Sequence, residues 1–561
     1  MVAWGWRPAA EACRPDSVEQ LLGEALEAGF TFISVPLEAE PKSHCQVESN
    51  DNLSLYNSQG QSLSLQSLAS RQPSLIAACD LCFREEWFNR VVLEFAFFDE
   101  FLLQYAEYLS VCAVLVLVTE EAEVERFRRW HRERGEPFQL WLQFPASVAG
   151  WCRWSRRSAS DGWRSHRVKA ALLLGDDDDE FGEAWIAESV GALITTSRTS
   201  RIVERFISAD ETISVILNSV PLSKVQSGSS AVSSAVQSSA MNNVLLSPLQ
   251  PLQDHLAAET YRCFEEDPVK YQLYQEAVRE ALTSLSSRHS SVSVVVAGAG
   301  RGPLVTAVLE AAEEVPALRL DRLLVIEKNP FAGLTLLRRF NSHPRVTILL
   351  GDMRCLNLEE EGPFHLIVSE LLGSLGDNEL APECLWPLQR FLTPDGVMIP
   401  QRYTSWLQPA YAPTIGEPKS IGLHVSKLTK VHFWNTQPQA LFTFHHPDNS
   451  NGEESERASE LVFNRLPGHA VIDCLVGYFE CVLFGSVRMS TVPATHSPGL
   501  GSWYPAYLAL SEPMKVGADG QVTVRFRRKR QEKKVWYEWS VSGEVTGEWH
   551  NVDGKSYCMN L

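Results

Sequence analysis

The chain lacks any hydrophobic run long enough to cross a bilayer. Its longest, Val111 to Val118, falls far short of the roughly 20 residues a spanning helix needs and reads as a buried core strand. The start, Met1-Val2-Ala3-Trp4, has no basic segment followed by an apolar one, so no secretory leader is expected. The twelve cysteines form no regular framework, and Cys79-Asp-Leu-Cys82 is a lone CxxC without a second pair. This argues against zinc and disulfide scaffolds and for a reducing compartment. Positive charge is also scarce: 50 basic residues stand against 69 acidic ones, for a net charge of -19. That balance opposes a nucleic-acid-binding surface and favours basic partners such as arginine-rich peptides, although solubility alone also accounts for it.

What is present is ample material for packed cores, with 45% hydrophobic and 10% aromatic residues in 561 positions. A chain this long exceeds one domain and should split into about three or four. In residues 1–218, apolar runs at Phe30 to Leu37, Val91 to Phe98, Ala113 to Val118, Phe138 to Phe144, Ala170 to Leu174, Ala192 to Thr196 and Thr212 to Leu217 alternate with helical patterns such as Val18 to Ala28 and Glu120 to Arg134. Strands that alternate with helices imply a parallel sheet covered on both faces, and about seven of them suggest a TIM-like (β/α) barrel. No convincing site is found on its strand ends. The acidic run Asp176 to Glu180 reads as a solvated loop before a divalent-ion site. Trp151, Trp154 and Trp163 with Arg153, Arg156, Arg157, Arg164 and Arg167 form either a docking surface or a surface helix with buried tryptophans. Ser49 to Ser70 breaks the regularity, and residues 219–246 read as a Ser-rich linker.

In residues 247–398, the strand Val292 to Ala297 runs into Gly298-Ala-Gly-Arg-Gly-Pro-Leu304 and then a helix. Strand, glycine turn and helix make a nucleoside-cofactor site of Rossmann-like type. The spacing is GxGxG, not the GxGxxG that places a pyrophosphate on a helix N-terminus, so a ligand without phosphates is favoured, S-adenosylmethionine first. Two further strands support this. Leu323 to Ile326 ends in Glu327, placed for ribose hydroxyls, and Val346 to Leu350 leads to Asp352-Met353, placed for adenine. Beyond Val397 the alternating runs Val522 to Phe526 and Val535 to Val541 indicate an antiparallel barrel or sandwich over 399–561. Arg527-Arg528-Lys529-Arg530 lies between those runs and reads as a solvated hairpin end.

The stretch Ser369 to Cys384 organises the rest. It sets Glu370 and Glu379 on either side of a Gly373/Gly376 turn, directly after the apolar run Phe364 to Val368. Paired carboxylates around one pocket serve as metal ligands, as acid and base on a sugar, or as a grip on a cation. Apart from Glu383 no further ligand stands at metal spacing, which favours a two-edged cation. A guanidinium fits, because its planar fork of donors matches carboxylates bidentately.

With these residues in view, Ser247 to Leu561 resembles the protein arginine methyltransferases, and within them the type II branch that makes symmetric dimethylarginine. The motifs that carry the resemblance are Gly298 to Leu304, Val325-Ile-Glu-Lys-Asn-Pro330, Ser369-Glu-Leu-Leu-Gly373, Asp377-Asn-Glu-Leu380, Thr495-His-Ser-Pro-Gly499 and Lys534-Val-Trp-Tyr-Glu-Trp539. The resemblance implies that Glu370 and Glu379 form a catalytic double-glutamate clamp with Glu383 outside it. It also implies that Tyr261, Lys270, Tyr271, Gly298, Gly300, Glu327, Asp352 and Met353 bind the cofactor. Phe264 stands where asymmetric enzymes carry Met and would shape how the second methyl arrives. Trp503 would stack on the substrate guanidinium. Ser502 replaces the His of the asymmetric enzymes' Thr-His-Trp, and Leu249 is grouped with the specificity residues. The expected substrates are Gly/Arg-rich proteins, histone tails and splicing proteins.

More faintly, Leu22 to Phe32 and the strand order resemble that family's non-catalytic barrel. This implies a barrel that docks a WD-repeat propeller subunit and contributes to oligomer assembly, other members working as homodimers. An oligomerisation element is expected in 399–561, and the location is expected to be cytoplasmic and nuclear, with no nucleic-acid or membrane partner. The chain departs from the family at Ser219 to Val244, where a longer helical tail is usual, which bears on partner and oligomer geometry. Two other classes stay in play: an asymmetric or monomethylating enzyme, which Phe264 and Ser502 oppose, and a non-catalytic scaffold, which Glu327, Asp352, Glu370 and Glu379 oppose.

Overall fold

The computed structural model describes residues 3–7, 32–37, 91–95, 98–117, 121–147, 149–150, 154, 167–174, 185, 190–195, 202–203, 206 and 213–218 of the N-terminal region. From 244 to 561 it describes all except 360, 414, 416–420, 429–430, 434–436, 449–454, 465–470, 517–519 and 544–546. The expected linker lies almost wholly outside the described residues, as do Ser49 to Ser70, Cys79, Cys82 and Asp176 to Glu180. Two compact units result, one holding the N-terminal strands and the other residues 235–256 and 261–561.

The first unit contains a closed, all-parallel barrel of eight strands in sequential order. They are β1 (Ala3–Arg7), β2 (Phe32–Leu37), β3 (Val91–Phe95), β4 (Ala113–Val116), β5 (Gln139–Pro145), β6 (Val168–Leu173), β7 (Val190–Thr195) and β8 (Ser214–Asn218). The pairing of β1 with β8 closes the ring. Seven of these strands match the apolar runs. The eighth, Ala-Trp-Gly-Trp-Arg, escapes that search because it contains a glycine and a charge and no aliphatic run. Helices α1 (Glu100–Leu109) and α2 (Glu121–Glu133) follow β3 and β4. Trp154 is buried and its ring meets Phe144 and Trp185, so this tryptophan belongs to the core. Trp151, Trp163, Arg153, Arg156, Arg157 and Arg164 lie outside the described residues. Among the described residues no helix is long and apolar enough to cross a membrane.

The second unit opens with helices α3 (Ala258–Glu265) and α4 (Pro268–Ser286), followed by an open sheet of β9 (Ser291–Ala297), β10 (Arg319–Glu327), β11 (Val346–Leu350), β12 (Phe364–Ser369) and β13 (Leu392–Ile399). All five strands are parallel, in the order β11-β10-β9-β12-β13. Ser-Val-Ser-Val-Val-Val-Ala of β9 is buried through its central residues, as a strand flanked on both sides in a covered parallel sheet must be. Helices α5 (Pro303–Glu313), α6 (Pro330–Phe340) and α7 (Ala381–Gln389) follow β9, β10 and the loop after β12. The first two begin with proline and α7 carries Pro382 as its second residue; proline is tolerated in the first turn because those N–H groups have no intrahelical partner. The strand order reverses between β9 and β12. In sheets of this kind ligands bind at such a switch point, outside the carboxyl ends of the strands.

The remaining strands are antiparallel. β14 (Arg402–Tyr411), β19 (Val471–Phe484) and β21 (Ala506–Lys515) form the centre of a seven-stranded sheet completed by β15 (Leu423–Val425), β16 (His432–Phe433), β17 (Gln439–His445) and β20 (Val487–Ser490). β18 (Arg457–Asn464), β22 (Gln521–Gln531), β23 (Lys534–Ser542) and β24 (Met559–Asn560) form a second sheet of four strands. One expectation is corrected here. Arg527 to Arg530 is not a solvated hairpin end: it lies inside β22, whose turn is at 532–533, and Arg528 is completely buried. Strand alternation continues the inward face from Val522, Val524 and Phe526 to Arg528, and a charge on that face must find partners.

Candidate active site

The glycine turn leaves β9 at Ala297. The N–H groups of Gly298 and Ala299 both donate to the Ile326 carbonyl, at 2.9 and 3.0 Å, which ties the turn to the neighbouring strand β10. Gly298 has φ +73° and Gly302 φ +100°, a region that disfavours side chains. A Cβ on Gly298 would also stand 2.8 Å from Leu371, and one on Gly302 would stand 2.4 Å from Phe340. The backbone therefore stays bare where a ligand can approach it. Glu327, the last residue of β10, turns back onto this loop. It accepts the Gly300 N–H at 2.7 Å and the Asn329 N–H at 2.6 Å. Burial pushes its carboxyl up to about 7 against the pull of those two donors.

Tyr261 packs its ring beside Gly300, and its hydroxyl accepts from the Asn329 amide at 3.3 Å. Arg301, buried behind the loop, grips Glu265 through two hydrogen bonds of 3.1 and 2.6 Å. At the end of β11, Asp352 is held by Arg354 in a forked contact whose shortest distance is 2.6 Å. Burial alone would raise its carboxyl, but the Arg354 hydrogen bonds outweigh burial and hold it below its ordinary value. Met353 is buried next to Gly298.

Across the switch point, β12 ends in Ser369 and delivers Glu370, whose Oε1 accepts the Leu372 N–H at 3.2 Å. The following loop closes on itself through reciprocal backbone bonds between Gly373 and Gly376, at 3.1 and 2.8 Å. Asn378 accepts the Leu375 N–H at 2.8 Å. A Cβ on Gly373 would fall 2.2 Å from that asparagine amide, so the turn admits no side chain there. Burial, with the negative charge of Glu370 added, pushes the Glu379 carboxyl well above its ordinary value, and Lys270 pulls the other way. The two acids therefore feel each other and one shared cation.

That cation is Lys270, in the first turn of α4. Its ammonium stands 3.3 Å from Glu370 Oε2 and 5.0 Å from the ring centres of Phe264, Tyr271 and Trp503 alike. The structure thus gathers Glu370, Phe264, Lys270, Tyr271 and Trp503 into one cage, and brings Tyr261, Gly298, Gly300, Glu327 and Met353 together beside it. Leu249 is not among them: it is 37% exposed and outside the core cluster that takes in Leu252 and Trp503.

Several contacts that hold the site were not read from the sequence, some of them made by residues already named. Trp503 donates its indole N–H to the Leu372 carbonyl at 2.7 Å. Asp267, the N-cap of α4, accepts the Lys270 N–H and also the backbone N–H groups of Gly501 and Ser502 and the Ser502 hydroxyl, the last three within 2.8 Å. Asp377, between the two clamp acids, is completely buried and accepts from Arg528 Nε at 2.5 Å, the Tyr537 hydroxyl at 2.8 Å and the Ser405 hydroxyl at 3.2 Å. Arg528 also forks onto Glu383 at 2.8 and 2.9 Å. Asp-Pro before a helix was a legible cap signal, and an arginine in register with Val522, Val524 and Phe526 was a legible sign of burial.

An open parallel sheet with a bare glycine turn, an acid at the end of its second strand and a loop carrying two acids across the switch point defines a methyltransferase-type domain. Comparison with known proteins gives the family. Residues 232–399 match the family described as PRMT5 arginine-N-methyltransferase, and residues 402–559 match the PRMT5 oligomerisation domain. These two matches of one family cover more than half of the chain, and the chain belongs to the PRMT5 family. Similar curated proteins include protein arginine N-methyltransferase 5 of Xenopus laevis, 39% identical over 56% of this chain and 52% of that protein. The enzyme of the same name from Oryza sativa subsp. indica is 40% identical over 56% and 51%. Protein arginine N-methyltransferase skb1 of Schizosaccharomyces pombe is 33% identical over 56% and 55%. The chain spans about half the length of the curated relatives it matches. Among solved structures, the Trypanosoma brucei PRMT1 enzyme-prozyme heterotetrameric complex with AdoHcy is similar at 15% identity and a TM-score of 0.43, over 53% of this chain and 98% of that one.

Proposed function

We propose that this chain is an S-adenosylmethionine-dependent protein arginine N-methyltransferase of type II, forming monomethylarginine and symmetric dimethylarginine in Gly/Arg-rich proteins, histone tails and splicing proteins. The observation that carries this reading is the cage at the switch point, in which Glu370 and the rings of Phe264, Tyr271 and Trp503 surround a cation whose charge also acts on the buried Glu379 of the same loop. The bare turn, which a Cβ at Gly298 would fill, and the buried acid Glu327 at the next strand end suit a nucleoside ligand. Tyr261, Lys270, Tyr271, Gly298, Gly300, Glu327, Asp352 and Met353 are the residues that would hold it. When bound, S-adenosylmethionine supplies an electrophilic sulfonium methyl group.

The chain's own residues do the rest by alignment and charge. Arginine is protonated and delocalised, and therefore a poor nucleophile. Glu370 and Glu379 can grip its fork bidentately, draw positive charge onto the nitrogens they hold and leave a terminal nitrogen facing the methyl group. The face of Trp503 attracts the same cation through its ring quadrupole. On transfer that nitrogen loses a proton, and Glu379, whose carboxyl already lies high, is the apt acceptor. Phe264, on the cage wall, is the candidate for setting where the second methyl group goes.

Assembly extends the proposal. The match to an oligomerisation domain supports self-association through the C-terminal sheets. Docking of a WD-repeat propeller on the N-terminal barrel, and a cytoplasmic and nuclear location, rest on the resemblance alone. The test is to incubate the purified chain with a Gly-Arg-rich peptide and methyl-labelled cofactor, then to identify the product by fragmentation. The symmetric isomer is expected. The asymmetric isomer would overturn the type II assignment, and cofactor binding without transfer would favour a scaffold.

A further inference from the structure

Lys270 occupies the environment that the proposed substrate cation requires. Its side chain is 1% exposed, one acid of the clamp lies 3.3 Å away, and three ring faces stand at 5.0 Å. Each ring lies within the roughly 6 Å over which a cation is attracted to an aromatic face. Yet the contact with Glu370 is longer than the ~2.7–2.9 Å of a well-formed charge-assisted hydrogen bond, so the ammonium is housed without being tightly bonded. A guanidinium gripped by the same acid and stacked on the same indole cannot share that space with it.

Two arginines near the nucleoside pocket are committed, and the half-buried Lys328 is drawn to Asp352 and Glu327 on the far strand ends. Arg301 forks onto Glu265, and Arg354 forks onto Asp352. A methyl donor built on an amino acid brings one carboxylate into the pocket, and burying it unpaired would be costly. Of these cations Lys270 is the one that stands against the acid loop, on a long stem that can swing toward that carboxylate while its backbone stays capped by Asp267.

We propose that Lys270 holds the guanidinium's seat in the cofactor-free enzyme and vacates it when the cofactor's carboxylate offers a stronger partner. The inference rests on the methyltransferase reading above and adds a coupling to it. The cofactor does more than supply the methyl group: it empties the cage, and by reciprocity a bound arginine, keeping Lys270 out, tightens the cofactor. Arginine binding to the cofactor-free site must displace the lysine and is correspondingly weak.

The experiment measures binding, not turnover. A fluorescently labelled Gly-Arg-rich peptide is titrated with the full chain by anisotropy, alone, with S-adenosylhomocysteine, and with 5′-methylthioadenosine, which keeps the nucleoside and lacks the amino-acid carboxylate. Both nucleosides carry no net charge, so a difference between them reports the local carboxylate. S-adenosylhomocysteine should raise peptide affinity by about five- to hundredfold, the usual span of coupling between two sites, while 5′-methylthioadenosine should leave it near the unliganded value. Lys270→Met should bind peptide more tightly without any nucleoside and lose most of the coupling.

Equal effects of the two nucleosides on the wild-type chain, or full coupling retained in Lys270→Met, would overturn the proposal. The wild-type comparison stands even where the variant fails to fold. Calorimetric titration of each nucleoside without peptide separates this failure from that of the underlying reading, which falls, and this inference with it, where neither nucleoside binds.

Discussion

The two halves of the site are held together by different means. On the nucleoside side, the glycine turn's backbone is fastened to its own sheet: Gly300 donates to Glu327, 27 positions on, and Gly298 and Ala299 donate to Ile326 of the adjacent strand. On the acid side, the loop from Glu370 to Glu379 is fastened by residues of the antiparallel sheets and their connections. Its bonds to Trp503, Arg528 and Tyr537 span 131, 151 and 160 positions. A ligand-binding turn can be specified locally, whereas a loop that must aim two like charges at one point is braced from outside. That bracing makes the antiparallel region part of the site's mechanics.

The sharpest way to break this asymmetry is to remove the brace. Arg528 is buried between Asp377 and Glu383, so Arg528→Met leaves two buried carboxylates without their cation. Breaking a buried pair in this way costs about 3–5 kcal/mol, which chemical denaturation would read. A loss below about 1 kcal/mol would show that the brace is dispensable. No variant confined to the glycine turn's hydrogen bonds should cost as much.

Next in size is the loss of the acids themselves. Glu370→Gln or Glu379→Gln should lower the methylation rate by at least about a hundredfold, the scale of a positioned acid or base, with S-adenosylhomocysteine affinity within about threefold of wild type. A near-normal rate would remove the two acids from the proposed chemistry. Sharply weakened nucleoside binding would mean that the two halves are not separable in this way.

The nucleoside half has its own signature, a dependence on pH. Glu327 is buried and its carboxyl stands at about 7 in the folded chain, against an ordinary 4.5. Between those values the folded state binds more protons than the unfolded one, so this group's contribution to stability falls as pH rises from about 4.5 to about 7. Across pH 5 to 6.5 the effect is roughly 2 kcal/mol at 1.36 kcal/mol per unit. Glu265, pushed up to about 7 by burial, and the raised Glu379 act with the same sign. Glu327→Gln should therefore flatten the slope of unfolding free energy against pH over that window without abolishing it. An unchanged slope would show that Glu327 is already ionised in the folded chain.

The same asymmetry explains what could be read from the sequence. Barrel, glycine turn, Glu327 and the Glu370/Glu379 pair were legible because each is a local pattern: an apolar run, a glycine spacing, or an acid at a strand's end. Strand β1 was not, because its alternating tryptophans and glycine carry no aliphatic run. The four basic residues of β22 looked like a solvated tip because charge was counted without register. Continuing the alternation of Val522, Val524 and Phe526 by two residues places Arg528 inside, but nothing local names Asp377 and Glu383 as its partners. The cage formed by Phe264, Tyr271 and Trp503 around Lys270 was likewise hidden, since aromatics at these spacings read as core and Trp503 approaches from far along the chain.

The smallest expected effect tests the hinge between the two halves. Asp267 caps α4, the helix that carries Lys270 and Tyr271, and also holds the Gly501–Trp503 segment by accepting from both backbone N–H groups and from the Ser502 hydroxyl. Asp267→Ala removes a helix cap, worth about 1 kcal/mol, and also releases the segment that brings Trp503 to the acid loop. Ser502→Ala removes a single donor and keeps the cap. Asp267→Ala should thus lower stability by about 1 kcal/mol and raise the peptide KM several-fold, while Ser502→Ala should shift the peptide KM alone and by less. If the two variants were to lose equal stability, the serine would be doing the cap's work and Asp267 would not be the joint between helix and loop.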